Sequence, residues 1–181
     1  MIYRMLELCC GTGNVSRAFM ELGWQAEGVD IEDHGYPGKL IKQDVRDFPP
    51  IEEKYSFIWA SPPCSEFSNA KYYAYGTCIE YLGLDLVQQC QHIIQSCKPR
   101  FWIMENVKRL EQFIGPAVQN IPYTYYPGGK RAFLWGNYPQ LSVDIRDNKR
   151  RHDNYGNSDV RRGAIPMPLA KEIAKVISYH I

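Results

Sequence analysis

The sequence predicts an α/β fold built on a mostly parallel sheet, with its functional site at the carboxyl ends of the strands. Short apolar runs alternate with segments of helical periodicity, and four of those runs end in polar or acidic residues. A chain of 181 residues, 45% hydrophobic and 23% charged, suits a single domain over 1–181 with a sizeable core.

Each element follows from local pattern. Ile2 to Leu8 reads as a buried strand, Cys10-Gly11-Thr12-Gly13 as a tight turn, and Asn14 as the cap of a helix carrying Val15, Ala18, Phe19 and Leu22. A second strand, Ala26 to Ile31, ends among acids at Asp30 and Glu32, and a short third one at Leu40-Ile41 ends at Asp44. Tyr55 to Ala60 predicts a central strand stopped by Pro62-Pro63. Phe101 to Met104 predicts another, stopped by Glu105-Asn106. Between them Leu82, Leu86, Cys90, Ile93, Ile94 and Cys97 recur at helical spacing. Ala132 to Trp135 is a late strand, and Pro168 opens a final amphipathic helix through Leu169, Ile173, Ala174 and Ile177. Asp144 to Arg162, with six Lys/Arg and four Asp, is a loop or contact surface too short to be a domain.

Composition narrows the function classes. Twenty-one Lys+Arg against 20 Asp+Glu leave a net charge of +1, so nucleic-acid binding would require a local basic patch. The opening MIYRMLELCC carries Arg4 and Glu7 where a secretory signal needs an apolar run, and the longest uncharged stretch is broken by Pro116, Pro122 and Pro127. A cytoplasmic protein with no membrane partner is expected. The six cysteines are expected to be reduced thiols, and neither they nor the four histidines have zinc spacing, so no metal is expected.

Glu7-Leu8-Cys9-Cys10-Gly11-Thr12-Gly13 joins a strand to a helix, where glycines either serve turn geometry alone or admit a nucleotide-like ligand to the backbone. Asp30, 17 residues after Gly13, suits ribose hydroxyls, and Asp44 an adenine amino group, although each acid taken singly also suits a cap or a solvated loop. In order they point to an adenosine-containing cofactor. Trp59-Ala60-Ser61-Pro62-Pro63-Cys64-Ser65-Glu66-Phe67-Ser68 then sets a thiol behind two rigid prolines at a strand end, and Glu105-Asn106-Val107 follows the next long strand.

These segments resemble the cytosine-5 DNA methyltransferase family, in order, from residue 6 to residue 175. LELCCGTG resembles its cofactor loop, GVDIE its ribose acid, QDV its adenine acid, SPPCSEFS its nucleophile loop and ENV its catalytic glutamate. KRAFLWG resembles its arginine strand and GAIPMPLAKEIA its closing motif. The resemblance implies a Rossmann-like class I S-adenosylmethionine-dependent methyltransferase fold with helices on both faces. It also implies cofactor contacts from Glu7, Cys9, Gly11, Gly13, Asn14, Asp30, Ile31, Asp44, Val45 and Pro62, with catalysis by Cys64, Glu105, Arg131 and Asn106.

The implied chemistry requires those residue types. A thiolate at Cys64 adds to carbon 6 of cytosine and makes carbon 5 nucleophilic. Glu105 serves nitrogen 3 as a proton donor. Arg131 faces the charge developing on the carbonyl oxygen, unless it is an ordinary surface cation. Asn106 braces the nucleophile loop. Cys10, Cys78, Cys90 and Cys97 read as small buried hydrophobes, and Tyr72, Tyr73 and Tyr75 as packing residues rather than base-stacking ones.

The chain departs from the family pattern in several places. Cys9 stands where the family has phenylalanine, leaving Ile31 as an adenine wall. Pro127 and Gly129 replace the glutamine and first arginine of the arginine motif, and Gly163 replaces an asparagine. Only 25 residues, 137–161, occupy the place of a target recognition domain. Such a segment is too short to read base edges alone, so sequence choice is expected to be relaxed or to come from a protein partner or homo-oligomer. Lys149, Arg150, Arg151, Arg161 and Arg162 either hold DNA phosphates or form a solvated loop. Compact enzymes of this kind resemble those of phages and prophages and of restriction–modification systems. The alternatives are RNA or a free cytosine nucleotide as substrate, amino-group methylation, which Cys64 in place of an aromatic after Ser-Pro-Pro and the Glu-Asn-Val segment argue against, and a weakly active DNA-binding regulatory subunit.

Overall fold

The computed structural model describes residues 2–67, 80–121, 131–142 and 164–181. Its strands are β1 (Arg4–Leu8), β2 (Gln25–Asp30), β3 (Lys39–Lys42), β4 (Phe57–Ala60), β5 (Phe101–Asn106), β6 (Gln119–Ile121) and β7 (Ala132–Asn137). They form one sheet in the order β3-β2-β1-β4-β5-β7-β6. The first five are mutually parallel, whereas β7 runs antiparallel to both β5 and β6. The helices are α1 (Asn14–Met20), α2 (Glu80–Cys97), the single turn α3 (Glu111–Ile114) and α4 (Met167–His180).

Alternation along the strands divides the core into two layers. Met5, Ala26, Phe57, Trp59 and Ile103 face α1 and α4, where Val15, Phe19, Leu169, Ile173 and Ile177 complete one cluster. Leu6, Leu8, Val29, Ile58, Ala60 and Met104 face α2, against Val87, Cys90, Ile93 and Cys97. From Leu86 onward the stripe that predicted α2 is its buried face, with Val87 fully buried and Leu86 at the margin. The closing helix packs on α1, and Trp24, in the connection between α1 and β2, donates from Nε1 to Ser178 Oγ at 2.9 Å.

Three local expectations change. Gly13, not Asn14, caps α1: its φ of 68° is left-handed, so the turn needs glycine there, and Asn14 becomes the first helical residue. Glu105 and Asn106 do not stop β5 but complete it, because they pair with Leu134 and Phe133 of the reversed β7. β6 was not expected, since three residues of Gln-Asn-Ile carry no period. Tyr72, Tyr73, Tyr75, Cys78, Pro127, Gly129, Lys149, Arg150, Arg151, Arg161, Arg162 and Gly163 lie outside the described residues, as does most of 137–161. Among the described residues no helix is long and apolar enough to cross a membrane, and no group of three or more His, Cys, Asp or Glu could hold a metal ion.

Candidate active site

The strand order reverses at β1. The chain steps outward from β1 to β2 and β3, then returns to place β4 on the other side of β1. Connections leaving β1 and β4 therefore diverge and leave a crevice at their carboxyl ends, the usual ligand position in such sheets. The turn after β1 and the Pro-Pro-Cys loop after β4 border that crevice. Asp30 at the end of β2, Asp44 after β3 and Glu105 in β5 stand at the same end of the sheet. Arg131 precedes β7, and because β7 is antiparallel its start lies beside the end of β5, the end that carries Glu105.

The turn after β1 is built for close approach. Cys9, Gly11 and Gly13 have φ of 54°, 51° and 68°, and Gly13 N donates back to Cys10 O at 2.9 Å. Gly11 N donates to Asp30 Oδ2 at 2.8 Å and Glu32 N to Asp30 Oδ1 at 3.3 Å, which ties the turn to β2. A carboxylate has about four acceptor positions, so Asp30 retains about two beyond these bonds. Ile31 beside it is 62% exposed. Asp44 caps a short 3₁₀ turn (Val45–Asp47): Oδ1 accepts from Arg46 N at 2.9 Å and Nε at 3.0 Å, and Oδ2 accepts from its terminal nitrogen at 2.6 Å. These bonds hold the Asp44 carboxyl below its ordinary pKa and leave about one acceptor position for an amino group. Val45 is buried beneath it.

The loop after β4 is fixed at both ends. Pro62 is buried, and its carbonyl accepts from Asn106 Nδ2 at 2.9 Å. Asn106, expected to brace this loop, is wholly buried, and its Oδ1 accepts from Val107 N at 2.9 Å. Beyond the thiol, Phe67 N donates to Cys64 O at 3.0 Å, and the fully buried Phe67 ring packs 5.7 Å from Phe113. Cys64 itself is half-buried between these anchors, as is Glu105 on the neighbouring strand, while Arg131 is exposed.

The C-5 cytosine-specific DNA methylase model matches residues 3–121, which carry all of these groups except Arg131. The chain belongs to the C-5 cytosine-specific DNA methylase family. The Frog virus 3 (isolate Goorha) protein named "Probable DNA (cytosine-5)-methyltransferase" is 29% identical over 150 residues, covering 73% of this chain and 69% of its own. Among solved structures, the Entamoeba histolytica methyltransferase EhMeth has a similar fold, with a TM-score of 0.50, 12% identity, and coverage of 81% of this chain and 56% of that one. A protein encoded within an E. coli prophage gives a TM-score of 0.49 at 17% identity, covering 74% and 46%. The chain thus spans about half the length of these two solved relatives. The sheet is the Rossmann-like methyltransferase sheet that the resemblance implied.

Three methylase residues counted with the cofactor set face elsewhere. Glu7 lies on the α1 face of β1, 4% exposed beneath the turn, where Oε2 accepts from Ser16 N at 2.9 Å and from the Ser16 hydroxyl. Asn14 Nδ2 donates to Ile165 O at 2.8 Å, joining the turn to the closing segment. The Cys9 thiol turns toward Cys90 on α2, and that contact together with burial raises its pKa. Sequence reasoning missed Ser16, Tyr36, Arg46 and Phe67. The available signals were a serine three residues after Gly13, a Tyr-Pro-Gly before β3, and an aromatic three residues after Cys64.

Two acids give opposite pH dependences of stability. Burial lifts Glu7 to about 7 against the lowering effect of its Ser16 bonds, so the folded state holds a proton that the unfolded state has lost. The resulting stability is complete below the unfolded pKa and falls as pH rises from about 4.5 through 7, by about 3 kcal/mol. Glu27 is partly desolvated, but hydrogen bonds from Lys54, Tyr55 and Lys39 outweigh that and lower it to about 2. Its stabilisation is present above the unfolded pKa and is lost as pH falls from about 4.5 toward 2. Denaturant melts of Glu7→Gln across pH 2–8 are expected to lose the downward slope above pH 4.5 while keeping the loss between about 4.5 and 2 that belongs to Glu27; an unchanged slope would reject the assignment.

Proposed function

We propose that the protein transfers a methyl group from S-adenosylmethionine to carbon 5 of cytosine in DNA through a covalent Cys64 adduct. The observation that carries this reading is the Asn106–Pro62 hydrogen bond, which ties the Pro-Pro-Cys loop of β4 to the Glu-Asn-Val end of β5. A nucleophile and an acid at the ends of adjacent strands suit attack on one ring face while a proton is held at its edge.

The residues fit an adenosine cofactor. Asp30 retains acceptor positions for two ribose hydroxyls, Asp44 retains one for an adenine amino group, and the left-handed Gly11 and Gly13 let backbone approach the ligand. Ile31 offers an exposed apolar wall, and Val45 is buried in the core. When bound, S-adenosylmethionine supplies an electrophilic methyl group on a sulfonium.

Cys64 Sγ, as the thiolate, bonds to carbon 6, and the ring electrons move toward carbon 5. Glu105 holds a proton at nitrogen 3, which offsets the negative charge arriving on the ring. Arg131 stabilises the carbonyl oxygen. Asn106 keeps the loop, and therefore the sulfur, in register with Glu105. After carbon 5 is methylated, loss of its proton to water returns the electron pair that expels the Cys64 thiolate.

Labelled cofactor with separate pools of duplex DNA, single-stranded DNA, RNA and dCMP tests the substrate. Label is expected in DNA; label confined to RNA or dCMP would overturn the DNA reading. For the cofactor, Asp30→Ala is expected to weaken S-adenosylmethionine binding by about 1.5–3 kcal/mol, or roughly 10- to 150-fold, in calorimetry. Equal affinity would reject the ribose role.

A further inference from the structure

The parallel strands β2 and β3 are joined by only eight residues, 31–38, and no helix. Such crossovers ordinarily take a dozen or more residues and a helix, because the sheet face they cross must be covered. Here the Tyr36 ring covers the glycine positions of that face. Tyr36 lies on the α1 face of β2 against three glycines. A Cβ on Gly28 would meet the Tyr36 ring at 2.5 Å and Cys10 Sγ at 2.8 Å. One on Gly13 would meet Pro37 at 2.5 Å and the Tyr36 ring at 2.6 Å, and one on Gly38 would meet Ala26 O at 2.5 Å and the same ring at 3.1 Å.

The ring also ends in a polar chain. Tyr36 Oη lies 2.5 Å from Ser16 Oγ, and the Ser16 hydroxyl donates to Glu7. Either hydroxyl can donate in the second bond; where Ser16 gives its proton to Glu7, the donor is the tyrosine. Burial raises the Tyr36 pKa, which keeps that proton in place. The chain of bonds runs from the β2–β3 connection through the first turn of α1 to Glu7, the penultimate residue of β1. It crosses directly beneath the segment from Cys9 to Gly13.

We propose that Tyr36 is a positioning residue for cofactor binding: seated in the Gly13–Gly28–Gly38 cradle and bonded through Ser16 to Glu7, it holds the turn after β1 in register with Asp30. The proposal rests on the reading of that turn as the cofactor site. Tyr36 does not contact the ligand; it acts through the Gly11 and Gly13 backbone and through the connection that carries Ile31.

Tyr36→Phe keeps the ring and removes the hydroxyl. Calorimetry with S-adenosylmethionine is expected to give about fivefold to tenfold weaker binding, with KM for the cofactor rising in parallel and kcat at saturation unchanged. Amide exchange read by mass spectrometry is expected to quicken in residues 9–16 and stay constant in α2. Gly28→Ala, whose methyl displaces the ring, should weaken binding at least as much. Parent-like affinity in both variants would overturn the proposal, as would faster exchange spread evenly over the sheet and α2. If the parent does not bind S-adenosylmethionine, the cofactor reading fails on its own. Exchange in residues 9–16 still decides whether Tyr36 holds the turn: local quickening supports it and no change refutes it.

Discussion

Cys64→Ser is expected to abolish methyl transfer while leaving S-adenosylmethionine affinity within about twofold of the parent. A serine hydroxyl is far less ionised and less nucleophilic than a thiol near neutral pH, so carbon 6 receives no adduct and carbon 5 stays inert. The substitution is nearly isosteric at a half-buried position, between anchors that do not use the sulfur: the Asn106–Pro62 bond before it and the buried Phe67 after it. Loop geometry should therefore survive, and only the chemistry should fail. Duplex DNA containing 5-fluorocytosine gives the complementary result. The parent is expected to form an adduct that persists in denaturing gels, because fluorine cannot leave as the proton does, while Cys64→Ser forms none. Measurable turnover without an adduct would point to amino-group methylation instead.

Glu105→Gln is expected to lower kcat by about 10²- to 10⁴-fold, the usual contribution of a positioned proton donor. Glutamine preserves shape and can still hydrogen-bond, but it cannot deliver a proton to nitrogen 3. Backbone pairing of Glu105 with Leu134 does not depend on the side chain, so the strand should persist and cofactor affinity should hold. Single-turnover rates with labelled cofactor measure the effect. A loss of less than tenfold would move the proton donor elsewhere. Adduct formation separates this variant from Cys64→Ser: the glutamine enzyme retains the nucleophile and should trap 5-fluorocytosine slowly rather than not at all.

Legibility varied with how local the cause was. β1, β4 and β5 were readable because buried parallel strands are continuous apolar runs, and α2 because its buried stripe has helical spacing. β6 was not, since a three-residue edge segment has no room for a period. The cap of α1 was misread because asparagine is a common capping residue, whereas the left-handed φ of Gly13 is a property of the folded turn. Glu7 sat correctly inside a motif, yet strand alternation turned its side chain under the turn toward Ser16 and Tyr36. Nothing in the local pattern links residue 36 to residue 7, because the contact needs β2 beside β1 and a helix-free crossover over both.

By itself the sequence determined which chemical groups stand at strand ends: Asp30, Asp44, Cys64 and Glu105 each follow an apolar run, and both the run and its interruption are local properties. Tertiary structure alone decided which ends are neighbours. Lateral order arises from backbone pairing between distant segments, and it puts β4 against β1, so that the glycine turn and the Pro-Pro-Cys loop border one crevice. Strand direction is likewise non-local: only because β7 runs against β5 does Arg131, 26 residues beyond Glu105, return to the same end of the sheet.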